Sequence, residues 1–295
     1  MPAAAHDLEG RTFLVTGASS GIGLHAAAAL ARGGARVFLG CRSIEKADAT
    51  AAALRARAGA AGAALALEPF AADLGDLASV RTAAAAFVAG GVPLHGLVVN
   101  AGVAGVKGQT RDGFELTFGV NHLGPFLLTR LLEPALRAAG RARVVNVASN
   151  AHRGATGIDF AALRRPTPSL VGWPEYSVSK LCNVLFTREL ARRWAGSGVT
   201  SYALHPGVVA TGLWRRVPQP LRWLMMRAMI SPEEGSRTIV YCATAPDLAN
   251  ASGHYYREER EARASAAGED DALAARLWEE SERMTGLSEG GPAGP

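Results

Sequence analysis

Tyr176 and Lys180 stand four residues apart in Tyr176-Ser177-Val178-Ser179-Lys180. On a helix that spacing puts both side chains on one face. An ammonium held near a phenol favours the phenolate and lowers the tyrosine pKa. Such a pair donates and accepts a proton near neutral pH, as carbonyl reduction or alcohol oxidation requires. Alone the pair says little, because the same spacing arises on solvated helix faces. Its weight comes from a glycine-rich turn far upstream, Thr16-Gly17-Ala18-Ser19-Ser20-Gly21-Ile22-Gly23. That turn follows the apolar run Thr12-Phe13-Leu14-Val15 and opens an alanine-rich helical stretch, Leu24 to Arg32. Strand, glycine turn and helix in that order let the backbone approach a pyrophosphate closely and offer it the N–H groups of a helix N-terminus.

Further pieces follow in chain order. Asn100-Ala101-Gly102 closes the apolar run Leu97-Val98-Val99, and Asn121 sits in Val120-Asn121-His122-Leu123-Gly124. Ser149 ends the strand-like run Val144-Val145-Asn146-Val147-Ala148, and His205-Pro206-Gly207 ends another from Thr200 to Leu204. With these motifs the chain, from about residue 10 to about residue 257, resembles the short-chain dehydrogenase/reductase family. Asn146 to His152, Phe118 to Phe126 and Lys180-Leu181-Cys182-Asn183 are similar to its retinol-dehydrogenase-like and WW-domain-oxidoreductase-like subgroup.

The resemblance implies a catalytic set of Asn121, Ser149, Tyr176 and Lys180. Tyr176 would exchange the proton with the substrate oxygen, and Ser149 would orient that oxygen. Lys180 would lower the Tyr176 pKa and hold the nicotinamide ribose, and Asn121 would position a water linking Lys180 to solvent. For the cofactor, Gly17, Ser19, Ser20, Gly21, Ile22 and Gly23 would wrap the pyrophosphate. Asp73-Leu74 would meet the adenine, Asn100, Ala101 and Gly102 would line the adenosine ribose, and Pro206, Gly207, Val209 and Thr211 would meet the nicotinamide. NAD-selective members carry an acidic residue at the end of the second strand; here Cys41 is followed by Arg42. An arginine with no carboxylate beside it suits a 2′-phosphate, so NADP(H) is expected over NAD(H), with reduction as the working direction. An NAD-linked alcohol dehydrogenase and a non-catalytic dinucleotide-binding regulator are the alternatives.

The chain has 295 residues and 48% hydrophobic content, enough for one sizeable α/β domain. Its alanine- and glycine-rich composition resembles that of chains from GC-rich bacterial genomes. A net charge of +5 comes from arginines spread along the chain, which argues for a solvated surface and against a nucleic-acid partner. Cys41, Cys182 and Cys242 have no metal-ligand spacing and read as buried free thiols in a reducing, cytoplasmic setting. Met1 to Gly10 lacks the pattern of a signal peptide, and no run of about 18 apolar residues predicts a membrane span. Nothing in the sequence sets the oligomeric state.

Strand and helix signals alternate, predicting a doubly wound parallel sheet with helices on both faces. Strands are expected at Arg11–Thr16, Arg36–Cys41, Ala64–Glu68, Gly96–Asn100, Arg143–Ala148, Thr200–Leu204 and near His254–Tyr255. Helices are expected at Ile44–Arg57, Leu77–Ala89, Asp112–Ala139 and Glu175–Ala195. The segment Asn150 to Pro174, with Arg164-Arg165-Pro166-Thr167-Pro168, cannot be one regular element. Val208 to Ile230, rich in tryptophan and methionine, reads as a lid over a small lipophilic carbonyl or alcohol substrate. Residues 258–295 read as a polar C-terminal extension, partly disordered, with a helix over Asp270 to Met284.

Overall fold

The computed structural model describes residues 7–209 and 229–287. Its sheet has eight strands in the order β3-β2-β1-β4-β5-β6-β7-β8. The strands are β1 Thr12–Thr16, β2 Arg36–Cys41, β3 Leu67–Ala71, β4 Gly96–Val99, β5 Ala142–Val147, β6 Val199–His205, β7 His254–Arg257 and β8 Arg260–Ala262. All neighbours are parallel except β7 and β8, which form an antiparallel pair. Chain order reverses between β1 and β4, the switch point at which such sheets open a crevice beyond the carboxyl ends of the strands. Every residue of β1 and β4 is buried, because helices cover both faces of a parallel sheet.

Helices connect the strands: α1 Gly21–Arg32, α2 Ile44–Arg57, α3 Leu77–Ala89, α4 Leu116–Phe118, α5 Gly124–Leu131, α6 Glu133–Ala138, α7 Trp173–Arg193, α8 Pro232–Thr244 and α9 Asp271–Thr285. Their starts are written in local chemistry. Ser43 caps α2, Asp76 caps α3, Asp270 caps α9, and Ser231 with Glu234 forms a capping box on α8. At α1, by contrast, the Ser20 side chain makes no capping bond and the first turn carries no acidic residue. The N-terminal N–H groups of α1 are thereby left for an anionic ligand.

Three expectations change. The helix expected over Asp112–Ala139 is broken into α4, a π turn over Gly119–Leu123, α5 and α6. Pro125 has no N–H to give the Asn121 carbonyl four residues upstream, so the α-helical register cannot run through this point. The third strand lies three residues further on than Ala64–Glu68. Gly59–Ala64 is a 3₁₀ turn packed on α2, and the Arg55 side chain binds the carbonyls of Leu65 and Leu67. Pro69 within the strand is tolerated because β3 is the sheet edge. Finally, β8 follows β7 through Glu258 and Glu259, both at positive φ.

The helix expected near the C-terminal end is present as α9, and it packs against α7. Trp278 is 3% exposed. It stacks on Phe186 at 5.8 Å and meets Phe126 edge-on at 5.1 Å. Arg130 pairs with Glu282, and Arg193 lies over the Trp278 ring. The segment between Ser149 and the start of α7 at Trp173 is irregular, with 3₁₀ turns at Asn150–Gly154 and Ala162–Arg164. The lid expected from Val208 to Ile230 lies almost wholly outside the described residues. At its base Val209 and Ile230 form a parallel bridge, and the Ile230 N–H donates to the Val208 carbonyl at 3.0 Å. The three cysteines are free and buried, and among the described residues no helix is long and apolar enough to cross a membrane.

Trp278→Ala should lower stability by about 3–5 kcal/mol, the usual effect of removing a buried tryptophan from a packed core. Denaturant unfolding measures it, and a loss below about 1 kcal/mol would mean that α9 does not carry core packing.

Candidate active site

The residues singled out in the sequence gather at the carboxyl ends of the strands. Thr16 ends β1, and its hydroxyl accepts the backbone N–H groups of Asn100 and Ala101 at 2.9 and 3.0 Å and donates to the Val98 carbonyl at 3.3 Å. The Asn100 amide donates to the Thr16 carbonyl at 2.8 Å and the Gly17 carbonyl at 3.4 Å. This clasp ties the glycine turn to the end of β4. It also explains the glycines. A Cβ at Gly23 would lie 2.3 Å from Asn100 Nδ2 and 2.6 Å from the Gly17 carbonyl oxygen, and Gly17 itself sits at φ +67 against Ala101. Asn100 Oδ1 is buried without a hydrogen-bond partner.

Around this turn, Ser19 touches the Cys41 thiol at the end of β2, and Lys46, on the first turn of α2, lies near enough to lower the thiol pKa. Burial outweighs both and raises it. Arg42 is exposed beside them. Asp73, exposed at the end of β3, accepts the Gly75 N–H at 2.9 Å, while Leu74 is buried and its carbonyl faces Gly124. Pro206, Gly207 and Val209 follow β6; Thr211 lies outside the described residues. An uncapped helix start behind a glycine turn held close to Asn100, with Arg42 and Lys46 beyond the end of β2, fits a dinucleotide phosphate chain and its adenosine end.

The other half of the site is carried by α7. Lys180 is 4% exposed, and its Nζ donates to the Val147 carbonyl at the end of β5, 2.7 Å away. Burial pushes the Lys180 pKa down to about 8. Its Nζ lies 5.7 Å from the centre of the Tyr176 ring. Tyr176 is buried, and burial raises its pKa; a hydrogen bond with Ser149 acts in the opposite sense. The depressed phenol expected from the Tyr-Lys spacing is therefore not found in the protein alone. Removal from water dominates at both residues, because burial disfavours the charged form of each, the phenolate and the ammonium.

Asn121 is fully buried in the π turn. Its Oδ1 accepts the Val103 N–H at 2.7 Å, and its Nδ2 donates to the Val103 carbonyl at 2.9 Å and to Ser179 Oγ at 3.0 Å. Both amide protons are engaged, so the side chain fastens the Gly102–Val103 loop to α7. The polar group better placed to meet a water is the Asn121 carbonyl, which lacks its helical donor at Pro125. A Cβ on Gly102 would lie 3.1 Å from Asn121 Oδ1 and 3.7 Å from Lys180 Nζ, so loop, asparagine and lysine converge on one point. Thr16, Lys46 and Pro125 were not singled out in the sequence. Lys46 was detectable as the cation one helical turn beyond Arg42, and Pro125 as a proline just after Asn121.

A family model described as short chain dehydrogenase matches residues 11–163. The chain is 45% identical to the human dehydrogenase/reductase SDR family member 13 over 98% of its own length and 77% of that protein's. It is 40% identical to human retinol dehydrogenase 13, over 95% of this chain and 86% of the other. Among solved structures, an uncharacterized protein from Mycobacterium Paratuberculosis matches with TM-score 0.75 and 33% identity over 95% of both chains. A gluconate 5-dehydrogenase from Burkholderia cenocepacia, in complex with NADP and tartrate, matches with TM-score 0.67 and 25% identity, covering 86% of this chain and 96% of the other. The chain belongs to the short-chain dehydrogenase family. It is similar to retinol dehydrogenases within it, and the class is that of NAD(P)-dependent oxidoreductases acting on alcohol or carbonyl groups.

Lys180→Met should raise the melting temperature near pH 7. A lysine whose folded pKa lies near 8, below its ordinary 10.5, destabilises the fold fully below the lower value and stops doing so as pH climbs through the window. The penalty is on the order of 3 kcal/mol. Thermal scans from pH 7 to about pH 10 should show the advantage of the variant shrinking. An advantage that grows with pH would contradict the assignment.

Proposed function

We propose that the protein is an NADPH-dependent reductase of a lipophilic ketone or aldehyde. The observation that carries this reading is the joint burial of Tyr176 and Lys180 on one turn of α7, with Ser149 near the phenol and the lysine on the Val147 carbonyl at the end of β5. A bound nicotinamide dinucleotide would supply the hydride. Tyr176, kept protonated by burial, stands ready to give its proton to the carbonyl oxygen as charge develops there. Ser149 orients that oxygen, and Lys180 replenishes the proton, with the Asn121 carbonyl holding the water that leads to solvent. Three buried free thiols support a reducing, cytoplasmic setting.

NADPH is favoured over NADH by the end of β2. Cys41 offers no carboxylate to repel a 2′-phosphate, and Arg42 and Lys46 stand beside it. A lipophilic substrate is supported by the approach to Tyr176. Trp173 packs on the Tyr176 ring at 5.2 Å, and Leu170, Val171 and Trp173 are 89%, 66% and 45% exposed. A run of apolar side chains left open to water beside the reaction groups suits an apolar ligand.

Tyr176→Phe should cut turnover by about 10²–10⁴ while NADPH affinity stays within a few-fold. NADPH oxidation followed with a panel of lipophilic aldehydes and ketones reads the first quantity, and fluorescence titration the second. Replacing Cys41 by Asp together with Arg42 by Ala should shift preference towards NADH. A charge-assisted arginine–phosphate contact is worth roughly 1.5–3 kcal/mol, or about ten- to a hundredfold in affinity. An unchanged ratio of the two dissociation constants would mean that the 2′-phosphate is read elsewhere.

A further inference from the structure

His152 lies three residues beyond Ser149 and is 0% exposed. Both of its ring nitrogens are engaged. Its Nε2 accepts the backbone N–H of Ser265 at 3.0 Å, and its Nδ1 lies 2.6 Å from the carbonyl oxygen of Ser149. The two contacts together fix the tautomer. A nitrogen that accepts a backbone N–H carries no proton, so the proton sits on Nδ1 and is donated to the Ser149 carbonyl. Burial holds the ring below the usual histidine range, so this neutral form persists at neutral pH.

The contact belongs to a set. The His152 ring meets Tyr255 of β7 edge-on at 5.0 Å, and the Tyr255 hydroxyl donates to Asn150 Oδ1 at 3.0 Å. Arg153 donates to the carbonyls of Arg263 and Ala264. Asn150, His152 and Arg153 are therefore all tied to residues between 255 and 265. The Ser149 side chain meanwhile accepts the Ala151 N–H at 3.2 Å and lies near enough to the Tyr176 phenol to lower its pKa. Ser149 is thus held by its backbone from one side and offers its hydroxyl to Tyr176 on the other.

A parallel link joins the next catalytic position. His122 follows Asn121 in the π turn, and its Nε2 lies 2.9 Å from Ser281 Oγ on α9. The Ser281 hydroxyl donates to the Leu277 carbonyl at 2.7 Å, so it accepts from the histidine.

Resting on the reading of Ser149 and Tyr176 as reaction groups, we propose that His152 is a positioning residue: through the Ser149 carbonyl it sets the serine hydroxyl against Tyr176, and it is itself set by Ser265 in the segment after β8. It touches neither substrate nor cofactor. Its effect falls on kcat, because a misplaced serine spoils the alignment of the reacting oxygen and leaves the dinucleotide site alone.

Three variants separate the roles of the two nitrogens. His152→Phe keeps the ring packing on Tyr255 and removes both bonds. His152→Asn places an amide near the Nδ1 position, and His152→Gln places one near the Nε2 position. Kinetics with retinal as probe at saturating NADPH should show kcat lower by about 10- to 100-fold in the Phe and Gln variants, with the NADPH dissociation constant within twofold. The Asn variant should recover most of the rate. Carbon-13 tyrosine NMR gives a readout without turnover, the Tyr176 signal being assigned by its loss in Tyr176→Phe. The Tyr176 pKa should rise in His152→Phe, as the serine bond that lowers it is lost, and should return towards the wild-type value in His152→Asn. A Tyr176 titration in His152→Phe identical to wild type, or a rate loss in Asn equal to that in Phe, would overturn the proposal. Turnover surviving in Tyr176→Phe would instead defeat the reading of the site, which marks the two failures apart.

Discussion

A lysine charge held out of water is the constraint around which this site is built. Lys180 lies in the first half of α7 with one carbonyl, that of Val147, at hydrogen-bond distance. A lone carbonyl compensates an ammonium poorly, and the depressed pKa near 8 expresses the shortfall. The groups around it are themselves held by hydrogen bonds. The ladder from β4 to β5 and β6 fixes the carbonyl, and Asn183 Nδ2 shares it at 3.4 Å. Asn121 pins the loop that closes over the ammonium from the other side. Burial likewise raises the Tyr176 pKa, so the phenol keeps its proton in the protein alone.

Much of this was readable in the chain because it is local. The glycine turn, the Tyr-Lys spacing and the strand-end asparagine and serine each announce themselves within a few residues, and parallel strands deliver all of them to one edge. The second strand and the helices Ile44–Arg57 and Leu77–Ala89 were found at their true bounds. They carry regular apolar patterns and, for the helices, a Ser or Asp cap.

What escaped notice depends on partners far away in sequence. The π turn follows from Pro125 together with Gly124 packed on the Leu74 carbonyl, 2.2 Å from where a Cβ would stand. No periodicity reveals such a contact. The displacement of β3 goes with Arg55 of α2 reaching forward to the carbonyls of Leu65 and Leu67. The sign of the Tyr176 shift has a similar origin: spacing shows that a lysine is near, but not that both groups have left water. The charged sequence after Arg257 hid the most consequential relation. Leu273, Leu277 and Trp278 show helical spacing, yet nothing local tells that Trp278 roofs α5 and α7, or that Ser265 and Ser281 reach two buried histidines.

The two borders of the sheet bear on how the molecule behaves in company. Open borders of a sheet are templates for adding further strands, and proteins that stay dispersed blunt them. Here Pro69 removes one backbone donor from β3, and Glu68 on the same strand is paired with Arg36 at the surface. On the far side the sheet ends in three residues of β8, two of them charged, turned back through two glutamates in left-handed backbone. Neither border offers a long, flat, apolar row to another chain. Among the described residues, self-association by strand addition is thereby discouraged at both borders of the sheet.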